Sequence, residues 1–187
     1  MTHAPQERKL AGNQVKNSRG TGYSLWLLPS VGQERLWIKR IHRLSRIWGV
    51  PLFRPHVTLL GSMSKAKFFL HQQTLILSRL LNPLVVNFYN VSSTALYFRA
   101  ICLNAPRPAR AILRSRELAL SAMGLRRSVF QPHFSLVYGS FSKWDRQRII
   151  NGFRFDLPQS LRLNRLALVQ TEGEVTSWKV LTVHRLR

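Results

Sequence analysis

Pro55-His56-Val57-Thr58-Leu59 and Pro132-His133-Phe134-Ser135-Leu136 are nearly the same segment written twice. Each is a proline, a histidine, a hydrophobe, a small hydroxyl residue and another hydrophobe. A strand sends alternate side chains to opposite faces. Read as strands, both segments put histidine and hydroxyl on one face and turn Val57, Leu59, Phe134 and Leu136 towards a core. Two such strands side by side aim two imidazoles and two hydroxyls into one groove.

Those residue types suit chemistry on a phosphate. Hydrolysing a phosphodiester needs a base to take a proton from water and an acid to protonate the leaving oxygen. Histidine serves as either, because its unperturbed pKa of about 6.5 lies near working pH. Thr58 and Ser135 donate hydrogen bonds to phosphate oxygens without adding negative charge. One His-x-Thr arises by chance, and a lone histidine is commonly a satisfied core residue. Two copies with matching flanks separate this chain from that case. Near-mirror copies do not tell acid from base; our expectation sets His133 as base and His56 as acid.

The second unusual feature is charge. Twenty-nine basic residues, 22 of them arginine, face seven acids in 187 residues, a net +22. Such an excess points to polyanionic company, RNA or nucleotides or an acidic membrane surface, and arginine favours bidentate phosphate contacts. The competing reading is compositional drift with solvated charges. A positive field depresses both histidine pKa values, and a bound phosphate restores the acid's proton, so a bell-shaped pH–rate profile is expected. Acids and cysteines are too few and too scattered to ligate a metal, so we expect a metal-independent mechanism with no cofactor.

A hydrophobic content of 45% is that of a globular chain of one ordinary domain. No apolar run approaches the roughly 20 residues that span a bilayer, so no stable membrane insertion is expected. Cys102 has no partner for a disulfide and lies in the apolar run Ala100–Leu103, which reads as a buried structural thiol in a reducing compartment. Cytoplasmic localisation follows, with nuclear or organellar placement left open, and a monomer is expected.

Residues 1–20, polar and basic, read as a flexible tail; residues 21–187 read as one domain. Tyr23–Leu28 reads as a strand. Glu34–Trp48 reads as a helix with Trp37, Ile41, Leu44 and Trp48 at helical spacing, stopped by Gly49 and Pro51. Its other face carries Arg35, Lys39, Arg43 and Arg46, with His42 a solvated member. Lys65–Leu81 reads as a second helix, with His71 on its surface or packed against it. Val85–Asn90 and Ala95–Leu103 read as strands, and Ala109–Met123 as a third helix after the Pro106-Arg107-Pro108 turn, closed by Gly124. Its Arg110, Arg114 and Arg116 flank the groove or face water. Arg126 and Arg127 precede the second histidine motif, where they would steer a phosphate. Asp145–Asn151 reads as a short helix before the final strands, the last of which holds His184, without a role. Trp26, Phe53 and Tyr97 read as core residues rather than base-stacking platforms.

The paired H-x-[ST]-x motifs resemble those of the 2H phosphoesterase superfamily, and within it the cyclic phosphodiesterases of plant and yeast type. Tyr23-Ser24-Leu25-Trp26-Leu27-Leu28-Pro29 is similar to that family's opening strand, and Gly49–His56 to the approach to its first motif. Tyr97-Phe98-Arg99-Ala100-Ile101 is similar to a central strand, and Leu168–Gly173 with Trp178 to its ending. Tyr138 matches a tyrosine near the family's phosphate site. Arg54 departs from the pattern, standing where an acidic residue is expected. The resemblance implies an α+β fold of two pseudo-symmetric lobes, each an antiparallel sheet flanked by helices, with a central groove. One lobe takes both chain ends and the other the middle. It also implies catalytic His56 and His133, with Thr58, Ser135 and Tyr138 on the substrate phosphate. The implied substrates are ADP-ribose 1'',2''-cyclic phosphate from tRNA splicing and nucleoside 2',3'-cyclic phosphates. RNA-end processing or 2'-5' RNA ligase-like chemistry is the alternative, and a non-catalytic RNA-binding module is a third reading.

Overall fold

A computed structural model describes residues 19–106, 109–152, 157 and 159–187. The expected tail lies outside the described residues apart from its last two, as do residues 107 and 108 of the Pro-Arg-Pro turn. The chain runs β1 (Tyr23–Pro29), α1 (Val31–Trp48), β2 (Val57–Met63), α2 (Lys67–Leu80), β3 (Leu84–Phe88), β4 (Val91–Ser93), a 3-10 turn (Tyr97–Arg99), β5 (Ile101–Asn104), α3 (Arg110–Met123), β6 (His133–Val137), α4 (Lys143–Gly152), β7 (Gln159–Gln170), a second 3-10 turn (Val175–Ser177) and β8 (Lys179–Arg185).

All strand pairings are antiparallel. β7 pairs with β1 along one edge and with β3 and then β8 along the other, and β1 pairs with β2. β6, β5 and β4 form the second group. The groups meet where Val57 of β2 faces Phe134 of β6. These are the two lobes, in a mixed α+β fold. Each lobe lends a helix to the other. α1 leaves β1 yet packs on β6 as well, and α3 leaves β5 yet packs on β2. Trp37 of α1 meets Phe134 edge-on at 5.0 Å.

The main core fills the space between the sheet and the helices. Val57, Leu59, Phe134 and Leu136, the four hydrophobes of the duplicated motif, are all buried there with Leu25 and Leu27 of β1 and Leu70 and Leu77 of α2. Burying one such side chain is worth roughly 1.5–3 kcal/mol. The alternation therefore fixes which sheet face holds the histidines.

Helix stops fall where the sequence puts them: Gly49 and Gly124 both take left-handed φ, 61° and 59°, at the ends of α1 and α3. α1 begins three residues before the expected Glu34, and α4 extends beyond Asp145–Asn151 at both ends. The larger difference lies in Ala95–Leu103, read as one strand. The chain instead makes a turn and enters β5 only at Ile101, and the short polar β4 was not anticipated. Thr94 closes this loop: its hydroxyl donates to the Arg99 carbonyl at 2.9 Å and accepts from the Leu96 N–H at 3.1 Å. Local side-chain bonds of this kind compete with a ladder, and here they win. Arg116 does not flank the groove either. It is buried under β2, donates to the Leu59 carbonyl and the Ser128 hydroxyl, and lies over the Phe130 ring. Arg127 pairs with Glu117 at the surface.

Candidate active site

On the sheet face away from the helices lies an open groove of about 210 Å3. His56, Thr58, His133 and Tyr138 all line it, so the fold gathers four of the five expected site residues onto one surface. Ser135 is buried beneath it and its hydroxyl donates to the Phe98 carbonyl at 3.0 Å. That hydroxyl has one proton, already used. Thr58 has no protein partner among the described residues.

Both imidazoles are held the same way. His56 Nδ1 lies 2.6 Å from the Arg54 carbonyl, and His133 Nδ1 lies 2.9 Å from the Gln131 carbonyl. A carbonyl oxygen only accepts, so each Nδ1 carries the proton and each Nε2 presents a lone pair. In each case the residue between the carbonyl and the histidine is a proline, Pro55 or Pro132, in the segment leading into the strand.

The surroundings differ. His56 is only 4% exposed. Trp26 stacks on it with ring centres 3.6 Å apart, and the Tyr138 hydroxyl stands 3.4 Å from Nε2. Burial, helped by the charges of His133 and Arg54 and opposed by the bond to the Arg54 carbonyl, pushes its pKa down to about 3. His56 is therefore neutral at working pH. His133 is less enclosed; burial lowers its pKa too, and the charge of Arg99 adds to this against the bond to Gln131. Burial raises the Tyr138 phenol, with a smaller opposing influence from Ser135, so it remains a neutral donor.

The sequence did not anticipate the aromatic wall. Trp178, Phe98 and Trp26 line the groove, and Phe53, buried behind it, stacks on Tyr138 at 3.8 Å. Trp26 is thus a core residue and a groove residue at once. Ser24 and Thr171 also reach the groove, hydroxyl to hydroxyl at 3.0 Å, from chain positions far apart.

Behind His56 lies a buried ion cluster. Glu34 of α1 pairs with Arg54 and, at 2.6 Å, with Arg165 of β7, which also donates to the Pro29 carbonyl. Burial alone would raise the Glu34 carboxyl, but bonds and charges from both arginines outweigh it and hold the pKa below the ordinary value. The unexpected Arg54 is therefore the partner of a carboxylate on a helix, and its carbonyl positions His56. A signal existed: Glu34 falls on the same helical stripe as Trp37, Ile41 and Leu44. Among the described residues no three His, Cys, Asp or Glu side chains cluster as a metal site would need.

Comparison with known proteins places this geometry. Residues 21–186 match the family described as cyclic phosphodiesterase-like protein. No curated protein sequence matches the chain. Among solved structures, E. coli LigT complexed with 3'-AMP superposes with a TM-score of 0.59 at 13% identity, covering 90% of this chain and 99% of LigT. LigT complexed with NADP+ gives 0.56 at 15% identity over the same shares of both chains. TT0787 of Thermus thermophilus gives 0.60 at 15% identity, covering 89% of this chain and 98% of that one. At such identity the structures speak for the fold, while the family match spans nearly the whole described domain and both histidine motifs. The chain belongs to the cyclic phosphodiesterase-like family of the 2H phosphoesterase superfamily.

Proposed function

We propose that this protein hydrolyses ribose cyclic phosphates, nucleoside 2',3'-cyclic phosphates or ADP-ribose 1'',2''-cyclic phosphate, to phosphomonoesters by metal-independent acid–base catalysis. The observation that carries this is the matched pair of imidazoles, each locked by Nδ1–H to a backbone carbonyl and each offering Nε2 to one groove. Water attacks phosphorus while one Nε2 takes its proton. The ring P–O bond breaks, and the other Nε2–H protonates the departing ribose oxygen. Proton exchange with solvent then resets both rings.

Burial argues for His56 as base and His133 as acid, the reverse of the expectation from sequence. A histidine kept neutral at working pH arrives with its lone pair free and does not arrive carrying the proton an acid must give. His133, less enclosed, gains its proton when an anionic phosphate binds beside it. Thr58 donates to a phosphate oxygen, and Tyr138 donates either to the phosphate or to His56 Nε2. Ser135 reaches a phosphate only by giving up the Phe98 carbonyl; otherwise it supports the groove floor.

An RNA-end substrate is the second reading, supported by the exposed stripe Arg35, Lys39, His42, Arg43 and Arg46 along α1. The purified protein, incubated with chelator and each cyclic phosphate, tests the first reading by product formation, with His56→Ala alongside. Turnover abolished in the variant supports it. Absent turnover in a protein that binds RNA steeply salt-dependently favours an RNA-end enzyme or a binding module.

A further inference from the structure

We propose that Arg99 forms an anion subsite beside His133, selecting ribose phosphates that carry a second phosphoryl group on the same ribose; this rests on the reading of the groove as a ribose phosphate site. Arg99 ends the first 3-10 turn. Phe98, the residue before it, lines the groove and anchors Ser135. Asn104 of β5 is the cross-strand partner of His133, which puts the two side chains next to each other on one face. Arg99 Nη2 donates to Asn104 Oδ1 at 3.1 Å, and Asn104 Nδ2 is fixed in turn by the Ser92 hydroxyl at 2.6 Å. A chain of hydrogen bonds thus ties the guanidinium to the position beside His133.

No carboxylate pairs with Arg99 among the described residues. The ion pairs there use Arg54, Arg127, Arg148 and Arg165. Arg99 is half-buried, and its Nε is buried without a partner. With Nε enclosed and one Nη2 hydrogen spent on Asn104, the Nη1–Nη2 end of the guanidinium is the part left for an incoming anion, and a phosphate is its bidentate match.

The location adds a second argument. In the free protein the Arg99 charge works against protonation of His133. A phosphate bound to Arg99 cancels that charge and lets His133 hold its proton. The groove would then accept the scissile cyclic phosphate, Arg99 would accept a phosphate or pyrophosphate on O5 of that ribose, and binding of the second would ready the acid for the first. A ribose cyclic phosphate bare at O5 would leave His133 facing an uncompensated cation.

The test is calorimetric titration of the whole protein with adenosine 3'-phosphate and adenosine 3',5'-bisphosphate at fixed salt. The wild-type protein should prefer the bisphosphate by about tenfold or more, the worth of one charged hydrogen bond. Arg99→Gln should reduce that preference to about threefold or less. Asn104→Asp, which leaves the guanidinium in place but occupies it with a carboxylate, should do the same and decides the matter if Arg99→Gln does not fold. Arg79→Gln removes the same charge from α2, whose buried face packs into the core on the other side of the sheet, and should leave the preference as it is. A wild-type protein without preference, a preference intact in Arg99→Gln, or one lost equally in Arg79→Gln overturns the subsite. Cyclic phosphate turnover is scored separately. Its absence, with the Arg99-dependent preference intact, overturns the hydrolase reading and not the subsite.

Discussion

The His56 half and the His133 half of the groove are built from one motif and behave differently. Each histidine gives its Nδ1 proton to the carbonyl two residues before it. Beyond that they diverge. His56 lies under Trp26, with a ring stacked on its face and an ion cluster behind its anchoring carbonyl. His133 stands beside the neutral network Asn104–Ser92 and the Arg99 guanidinium, which no carboxylate pairs among the described residues. Antiparallel pairing explains how near-identical segments reach such different ends. Val57 faces Phe134, and extending that register sets His56 against Ser135 and His133 against Thr58. Five residues after its own histidine, each motif therefore acts on the other one. Tyr138 from the second copy reaches His56, while the equivalent position of the first is Gly61, which has no side chain to offer His133. The duplicated motif supplies the same two imidazoles, and crossed register with unequal neighbours splits their environments, which on the proposed mechanism makes one the base and the other the acid.

The largest expected effect removes the shared element. His56→Ala and His133→Ala should each lower kcat for a ribose cyclic phosphate by at least about 10²-fold. One variant at wild-type rate would show that only one half is catalytic. Next comes the support behind each half. Glu34→Gln strands the positive charges of Arg54 and Arg165 and should cost about 3 kcal/mol in denaturant unfolding. Asn104→Ala, behind His133, should cost only about 1 kcal/mol, since it breaks neutral bonds and one bond to a charge. pH sharpens this contrast. The Glu34 pKa is lower folded than its ordinary 4.5, so its stabilisation is complete above that value and is lost as pH falls through the folded value. The gap between wild type and Glu34→Gln should be full at pH 6 and close on acidification.

The sheet half of this arrangement was legible and the loop half was not. Alternation in the two motifs assigns Val57, Leu59, Phe134 and Leu136 to the core and the histidines to the groove, because the core face tolerates nothing else. Helical spacing located α1 for the same reason, while α3 was bounded in the sequence by Pro106-Arg107-Pro108 and Gly124. The segment 95–100 misled because its apolar residues serve the groove: Phe98 lines it and Tyr97 packs edge-on against Phe98 at 5.1 Å. Period-two reasoning sees hydrophobes and cannot see which surface they cover. Trp178 and Thr171 come to the groove after the β1–β7 pairing, which no local pattern encodes. Ser135 was legible as a position, but not as a hydroxyl already engaged.

A pH–rate profile of kcat/KM reads both halves at once. The base must be unprotonated, so activity falls on the acid side through the His56 pKa, near 3. The acid must be protonated, so activity falls on the alkaline side through the His133 pKa, which lies below 6.5. The free-enzyme optimum should therefore sit on the acid side of 6.5, with kcat/KM declining about tenfold per unit well above the His133 pKa. Arg99→Gln removes one cause of the His133 depression and should move only the alkaline limb, towards higher pH. An alkaline limb that stays fixed in Arg99→Gln and moves instead in Tyr138→Phe would assign it to His56 and exchange the two roles.

The smallest effect discriminates most finely, because it compares the two hydroxyls of the duplicated motif. Thr58 lines the groove with no protein partner among the described residues, so its proton is available to a phosphate oxygen. Ser135 spends its proton on the Phe98 carbonyl. Thr58→Val should then lower kcat/KM by about tenfold with little change in unfolding, the loss of one hydrogen bond to a charged group. Ser135→Ala should lower it by about threefold or less and register instead as about 1 kcal/mol of stability, since it removes the bond to the Phe98 carbonyl. Equal kinetic losses in the two variants would mean that substrate pulls Ser135 away from Phe98. The turn carrying Phe98 and Arg99 would then respond to substrate binding, and the two halves would be more alike in the complex than in the free protein.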